Sequence, residues 1–253
     1  MTKLSVNLNA VAQLRNRRDV GWPSVVGIAR VVLDAGAHGI TVHPRPDERH
    51  IRRSDVFELE AMLRADYPDA EYNIEGYPSE DFLRLVEKAK PDQVTFVPDD
   101  PAQATSDHGW DIGKNEKLLR QAVSRMQSAG MRVALFVDED PSVPAMAAAV
   151  GADRVELYTG PYGATFRTAE GAQHLKNLAA TARAAKETAH NAKGEYAGLG
   201  INAGHDLTLE NLSAFIEKVP DVAEVSIGHG ITSDALLMGF AEAVRRYNKV
   251  LGN

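Results

Sequence analysis

Short runs of apolar and β-branched residues recur along the chain, each followed by a stretch in which apolar positions return at helical spacing. The runs fall at Leu4–Asn9, Gly39–His43, Glu71–Glu75, Gln93–Pro98, Arg132–Asp138, Arg154–Thr159, Ala197–Ala203 and Glu224–Gly228, and their length and composition predict strands. The periodic stretches predict helices over Ser24–Asp34, Asp55–Ala65, Ser79–Lys88, Asn115–Ser128, Val143–Val150, Thr168–Ala189, Leu209–Lys218 and Ser233–Tyr247. Pro23-Ser24 supplies a start for the first helix and Thr232-Ser233 a cap for the last, while Gly36, Gly130 and Gly151 stand where helices should stop. The segments AGAHGITV, AGMRVALF and VGADRVEL repeat one device of helix, glycine stop, turn and strand. Strand–helix units in series predict an α/β protein with a parallel sheet. A sheet of this size built from one repeating unit closes most readily into a (β/α)8 TIM barrel with extra short helices, an open doubly wound sheet being the alternative.

Where the polar residues fall favours the barrel. Strand after strand ends on one: Asn7 and Asn9, His43 and Arg45, Glu75, Thr95, Asp138, Glu156, Asn202 and His205, then His229. In a β/α barrel these carboxyl ends converge on the face that carries the chemistry. Solvation of strand ends explains one or two of them, but not imidazoles and carboxylates on successive strands. The second strand exits through Val42-His43-Pro44-Arg45-Pro46, where two prolines stiffen the chain and His43 and Arg45 share a side. A guanidinium held there suits bidentate binding of a phosphate, with His50 as a further donor, whereas Arg49 belongs to a solvated charged loop. At the seventh and eighth strand ends, Asn202-Ala203-Gly204-His205 and Ile227-Gly228-His229-Gly230 let backbone approach an anion, and a helix beginning at Thr232-Ser233 would offer amide donors. Glu75 is the candidate base, and Glu156, between apolar neighbours, either points inward or is paired structurally. His38, His174 and His190 read as ordinary surface residues, and His108 lies in the long unpatterned stretch Asp99–Lys114, a candidate lid.

Composition narrows the classes. The 253 residues suit one barrel domain spanning 1–253, with 44% hydrophobic and 25% charged residues. With no cysteine, disulfides, a thiolate nucleophile and cysteine-based metal sites are all excluded, and a cytoplasmic setting is expected. The net charge of −7 is spread along the chain without a basic run, so nucleic acid is not an expected partner. No apolar stretch reads as a signal core or a membrane span, and a soluble, unprocessed protein is expected.

The blocks VNLNAVAQLRNRR, GITVHPRPDERHI, NIEG, VTFVPDDPAQATSDHGWD, LFVD, VELYTGPY, INAGHDLT and SIGHG run in order through the whole chain, and in them it resembles the pyridoxine 5′-phosphate synthase family. The resemblance implies a β/α barrel that condenses 1-deoxy-D-xylulose 5-phosphate with 3-amino-2-oxopropyl phosphate, releasing phosphate and water, with neither metal nor cofactor, and that assembles as a homo-oligomer, an octamer. It also implies roles. His43, Glu75 and His205 would be acid–base residues, and Glu156 would stabilise developing charge. Asn7, Arg18, Gly228 and His229 would hold the aminoketone phosphate, while Arg45, His50 and Thr105 would hold the deoxyxylulose phosphate. Two places depart from the family pattern: Asn9-Ala10 stands where many members have Asp-His, and Asp206 stands where glycine usually follows the histidine. Asn9 and Asp206 are nevertheless expected among the substrate-binding residues. Two other readings remain: a metal-dependent sugar-phosphate isomerase using Glu75, Glu156 and His205 as ligands, and a phosphometabolite-binding regulator without catalysis. General bases at strand ends speak against the second.

Overall fold

The computed structural model describes residues 1–99, 103, 105–188, 198–219 and 221–253. Strands β1 (Lys3–Asn7), β2 (Gly39–Val42), β3 (Glu71–Gly76), β4 (Gln93–Phe96), β5 (Arg132–Val137), β6 (Arg154–Tyr158), β7 (Gly200–Gly204) and β8 (Val222–Ile227) pair in parallel in chain order. The barrel closes where Leu4 of β1 pairs with Val225 of β8. The predicted TIM barrel is therefore present and the open sheet is excluded. The helices are α1 (Asn9–Asn16), α2 (Val25–Asp34), α3 (Arg53–Asp66), α4 (Glu80–Ala89), α5 (Ile112–Ser128), α6 (Val143–Ala149), α7 (Gly160–Thr165), α8 (Ala169–Glu187), α9 (Leu212–Lys218), α10 (His229–Met238) and α11 (Phe240–Leu251).

Period-two alternation sorts the strand residues. Leu4, Val6, Ile40, Val42, Ile74, Val94, Phe96, Val133, Leu135, Val155, Leu157, Ile201, Val225 and Ile227 are buried in the core between sheet and helices. The alternate set is polar and bonded across the barrel interior: Ser5 to Thr41 at 2.7 Å, Thr95 to Asn73 at 3.1 Å, Arg154 to Asn202 at 3.0 Å and Arg132 to Gln93 at 2.9 Å. Arg132 also pairs with Glu71, and Glu224 is buried beside them. This barrel centre is thus filled by hydrogen-bonding side chains rather than by the branched aliphatics usual in the fold.

Local signals account for several boundaries. The side chains of Ser24, Ser79 and Thr168 cap α2, α4 and α8 by accepting from Gly27, Phe82 and Gly171 amides. Gly36, Gly130 and Gly151 adopt positive φ where α2, α5 and α6 stop, as the repeated device requires. Other boundaries differ from expectation. The first strand ends at Asn7, and Asn9 begins α1, a helix the pattern did not reveal because its cap residue Leu8 carries no capping side chain and only Val11, Ala12 and Arg15 are buried. The short α7 has the same origin, with Thr159 giving no side-chain cap. The predicted last helix starts earlier, at His229, and is split at Gly239, whose φ of 82° interrupts it between α10 and α11. Ala189, His190 and Ala197, at the end of one predicted helix and the start of one predicted strand, lie outside the described residues.

Candidate active site

The strand carboxyl ends enclose a cavity of about 380 Å³ lined by Asn7, Asn9, His43, Arg45, His50, Glu75, Thr105, Glu156, His205, Asp206, Gly228 and His229, together with Ala10, Gln13, Val97, Ser106, Phe136 and Ser226. Every sequence-predicted site residue except Arg18 is on this wall. Arg18 is exposed just beyond α1, its amide bonded to the Arg15 carbonyl, and it does not line the cavity.

On the β1–β2 side, backbone and side chains interlock. The Asn7 side-chain oxygen accepts from the Asn9 amide at 2.9 Å, and the Asn9 side-chain oxygen accepts from the His43 amide at 2.9 Å. Asn9 therefore props the exit of β2, a task that needs an acceptor and no charge. Arg15 of α1 is buried and bonds both oxygens of Asp55, at 2.5 and 2.9 Å, and the His50 carbonyl at 3.1 Å. That ion pair ties α1, α3 and the His50 loop together, and neither partner stood out in the sequence. The Nδ1 atom of His50 accepts from the Ile51 amide at 2.9 Å, so the neutral ring carries its proton on Nε2, as a donor. Burial, helped by Arg45 and Arg49, pushes the His50 pKa down to about 4, which keeps the ring neutral.

His43 lies between two carboxylates, its Nδ1 4.0 Å from Glu75 Oε2 and its Nε2 4.0 Å from Asp99 Oδ2. Burial, with the cations Arg45 and Arg49 and the rings of His50 and His205, holds its pKa well below the ordinary imidazole value. Glu75 also accepts from Asn7 Nδ2 at 3.4 Å. Burial raises its pKa well above the usual carboxylate range, and the neighbouring carboxylates of Glu156, Asp99 and Glu224 push in the same direction. Glu156 is pushed up to about 7 by burial, with His205 and a hydrogen bond from Thr95 opposing, and its Oε2 is buried without a partner among the described residues. Glu156 thus points inward and is not paired off by a cation.

On the opposite wall, His205 and Asp206 both have positive φ, 82° and 56°. Thr159 secures this strained turn by donating to the carbonyls of Gly204 and His205, and Asn211 donates to the Asp206 carbonyl at 2.9 Å. His205 Nε2 is 3.2 Å from the Thr105 hydroxyl and its Nδ1 3.4 Å from Asp206 Oδ2, while Tyr158 packs edge-on at 5.3 Å. The Asp206 carboxylate therefore faces the histidine, and that contact holds its pKa below the usual value. Gly228 precedes α10 directly, and Gly228 and His229, at the opening of that ten-residue helix, line the cavity. A Cβ at Gly204 would come 2.3 Å from Glu156 Oε1, so a larger residue there must displace that carboxylate, and one at Gly228 would sit tightly, 3.1 Å from Asn7 Cβ.

Among the other histidines, His38 accepts from the Leu4 amide at 3.4 Å, and His108 is exposed beside Asp107. His174 is not an ordinary surface residue: it is partly buried with Nδ1 2.6 Å from Glu139, a pairing that sequence distance conceals. The end of the unpatterned stretch is anchored, Gly109 donating to Asp138 at 2.8 Å and the Trp110 ring to the Phe96 carbonyl at 2.8 Å. Asp99, Ser106, Gln13 and Phe136 are site residues that the sequence did not single out.

Residues 4–253 match the model of the family described as "Pyridoxal phosphate biosynthesis protein PdxJ". A protein of Chelativorans sp. (strain BNC1), named pyridoxine 5′-phosphate synthase, is 60% identical over 248 residues, covering 97% of this chain and 96% of that one. A protein of the same name from Mesorhizobium japonicum is 57% identical over 251 residues, covering 99% of this chain and 98% of its own. Among solved structures, 3-hexulose-6-phosphate synthase from Salmonella typhimurium superposes with a TM-score of 0.64 at 17% identity, covering 99% of this chain and 98% of that one. Phosphoribosyl anthranilate isomerase from Thermotoga maritima gives 0.62 at 14% identity with all of both chains covered. Those distant likenesses show the fold; the full-length family match and the close relatives show that the chain belongs to the pyridoxal phosphate biosynthesis protein PdxJ family.

Proposed function

We propose that the chain is a pyridoxine 5′-phosphate synthase that condenses 1-deoxy-D-xylulose 5-phosphate with 3-amino-2-oxopropyl phosphate. The observation that supports this reading beyond family membership is the make-up of the cavity: Glu75 and Glu156, whose carboxyls burial shifts toward the protonated form, and His43, whose ring burial shifts toward the neutral form, line it together with Arg45 and His50 from the β2 exit and Gly228 and His229 from the β8 exit. Arg45 and the Nε2–H of His50 form one anion site, for the deoxyxylulose phosphate, with Thr105. The amides opening α10, with Gly228, His229 and Asn7, form the other, for the aminoketone phosphate. Two anchored ends turn an encounter in solution into an internal reaction.

The amine of one substrate attacks the ketone carbon of the other, and the adduct loses water as an imine forms. Each step moves a proton at a different atom, so several acid–base groups are needed around one bound chain. Glu75, held in its protonated form, donates to the departing hydroxyl, and neutral His43 accepts a proton 4.0 Å from it. His205 serves the opposite end of the bound chain, and Glu156 stabilises positive charge as it develops. Loss of phosphate and ring closure follow with the same groups. The whole chain acts as one domain, in the cytoplasm, as an octamer; among the described residues no helix is long and apolar enough to cross a membrane. Incubation of metal-free protein with both phosphates should give pyridoxine 5′-phosphate, detected by mass and fluorescence. Binding of both substrates without product would favour the regulator reading, and product only after addition of a divalent ion would favour metal-assisted chemistry.

A further inference from the structure

Arg45 and His43 have roles in the reaction just described; the carboxylate set between them has none. Asp99 follows β4, and its side chain is 4% exposed. Its Oδ2 pairs with Arg45 Nη2, accepts from the Ser106 hydroxyl at 2.7 Å and lies 4.0 Å from His43 Nε2. Its Oδ1 is buried and has no partner among the described residues. A buried ion pair is weak evidence for stability, since an apolar pair of similar volume often does as well. An acceptor buried without a partner is a standing cost. The same carboxylate would repel a phosphate if it faced one directly. Its contacts instead reach the two groups that meet the substrate.

We propose that Asp99 is a positioning residue for the reaction: it fixes the fork of Arg45 in the cavity wall and stands as counter-ion to His43 when that ring takes a proton. The Arg45 half rests on the reading of Arg45 as a phosphate ligand. The pairing with Asp99, and a 3.4 Å bond from Nη1 to the Gln103 carbonyl, orient the guanidinium and leave N–H groups of the fork for an anion. For the His43 half, Oδ2 lies 4.0 Å from Nε2, a separation that a protonated ring closes by a small approach, as catalytic hydrogen bonds tighten in the bound complex. The groups facing His43 are Glu75 from β3, Asp99 from the β4 exit, Arg45, Arg49 and His50 from the β2 exit, and His205 from the β7 exit. Among the described residues, Asp99 and Glu75 are the two acidic partners within 4.0 Å of it.

The test is Asp99→Asn, which keeps shape and an acceptor for Ser106 but removes the charge, with Asp99→Glu as rescue. Turnover by Asp99→Asn should fall roughly ten- to a hundredfold, less than the 10²–10⁴ of a group that itself transfers the proton, while inorganic phosphate binds as tightly or more tightly because Arg45 has lost its internal anion. A negative neighbour favours the protonated forms of both His43 and Glu75, so its removal lowers both, and both limbs of the kcat/KM profile should move to lower pH. Asp99→Glu should recover most of the rate. Near-normal turnover with an unmoved pH profile overturns the proposal. So does a loss of rate that merely tracks a lowered melting temperature with the profile unmoved. Equal phosphate binding by the unaltered protein and Arg45→Ala would sink the phosphate assignment and with it the Arg45 half, which the pH profile distinguishes from failure of the His43 half.

Discussion

Glu75 is the residue on which the reading of the cavity depends most directly. Its carboxyl is pushed toward the proton-bound form because burial, and beside it three other carboxylates, disfavour the anion. Glu75→Gln keeps the volume and an amide donor toward the cavity but has no proton to exchange. Turnover should drop by roughly 10²–10⁴, with substrate binding and melting temperature preserved. In the unaltered enzyme the raised pKa predicts activity that survives well above the usual carboxylate range and fails as pH climbs through it; near-normal turnover in the variant would move the acid role to His43 or His205. Asp206 gives a second test. It stands in a left-handed conformation where relatives by resemblance carry glycine, and its carboxylate turns to His205 instead of away from the cavity. Asp206→Asn tolerates the same backbone and removes the charge. A partly exposed unit charge near a bound anion is worth on the order of 1 kcal/mol, so the KM of one phosphorylated substrate should fall about fivefold, more at low salt than at high. An unchanged KM at both salt concentrations would show the carboxylate to be fully offset by His205. Most of these residues were legible in the sequence because imidazoles and carboxylates recurred at strand ends. Asp99 and Arg15 were not, since their meaning comes from partners 54 and 40 positions away.

At the scale of elements, the ends of β7 and β8 bring backbone against side chains that line the cavity. Gly204 pairs with Tyr158 in the sheet and leaves its missing Cβ's place to the Glu156 carboxylate, 2.3 Å from where that carbon would be. Gly204→Ala should therefore displace Glu156, costing at least tenfold in kcat while the barrel stays folded; calorimetry showing intact phosphate binding alongside that loss would separate displacement of the carboxylate from collapse of the anion site. A variant with ordinary kcat would mean that Glu156 has room to move without consequence. The strands were legible because outward apolar residues alternate with polar ones, and glycine stops mark where α2, α5 and α6 end. The helices α1 and α7 were not, because each is short, lacks a capping side chain and is held mainly by tertiary contacts such as Arg15 with Asp55 and Tyr162 with the Asn211 carbonyl. The start of α10 was misplaced by four residues for a related reason: Gly228 enters the helix straight from β8, so no capping hydroxyl announces it.

The whole molecule carries a consequence of filling a barrel with ionisable groups. Outward faces make an apolar core, whereas the interior holds Glu71, Glu224, Arg132 and Arg154 beneath the carboxylates of the cavity. Periodicity gave the alternation but not its direction, because charged residues at strand starts look like solvated ends until the barrel closes. Buried groups with shifted pKa values make folding stability depend on pH, and the two kinds present act in opposite senses. His43 and His50 are held neutral, so the unfolded chain binds more protons than the folded one, and stability rises with pH toward the ordinary imidazole value of 6.5. Glu156 is the reverse. With its folded pKa raised from 4.5 to about 7, the folded state binds more protons across that interval, and its contribution is complete below pH 4.5 and lost as pH rises to about 7. Glu156→Gln removes this dependence while keeping the volume. Relative to the unaltered protein, the variant should gain stability progressively from pH 4.5 to 7 and hold a constant advantage above, of order 3 kcal/mol at most for a shift of that size. Denaturant unfolding of both proteins from pH 4.5 to 8.5 measures the difference directly, and the histidine contributions, common to both, cancel in it. A difference that stays flat with pH, or that favours the unaltered protein more at high pH, would mean that Glu156 is ionised in the folded state at neutral pH and enters the reaction as an anion.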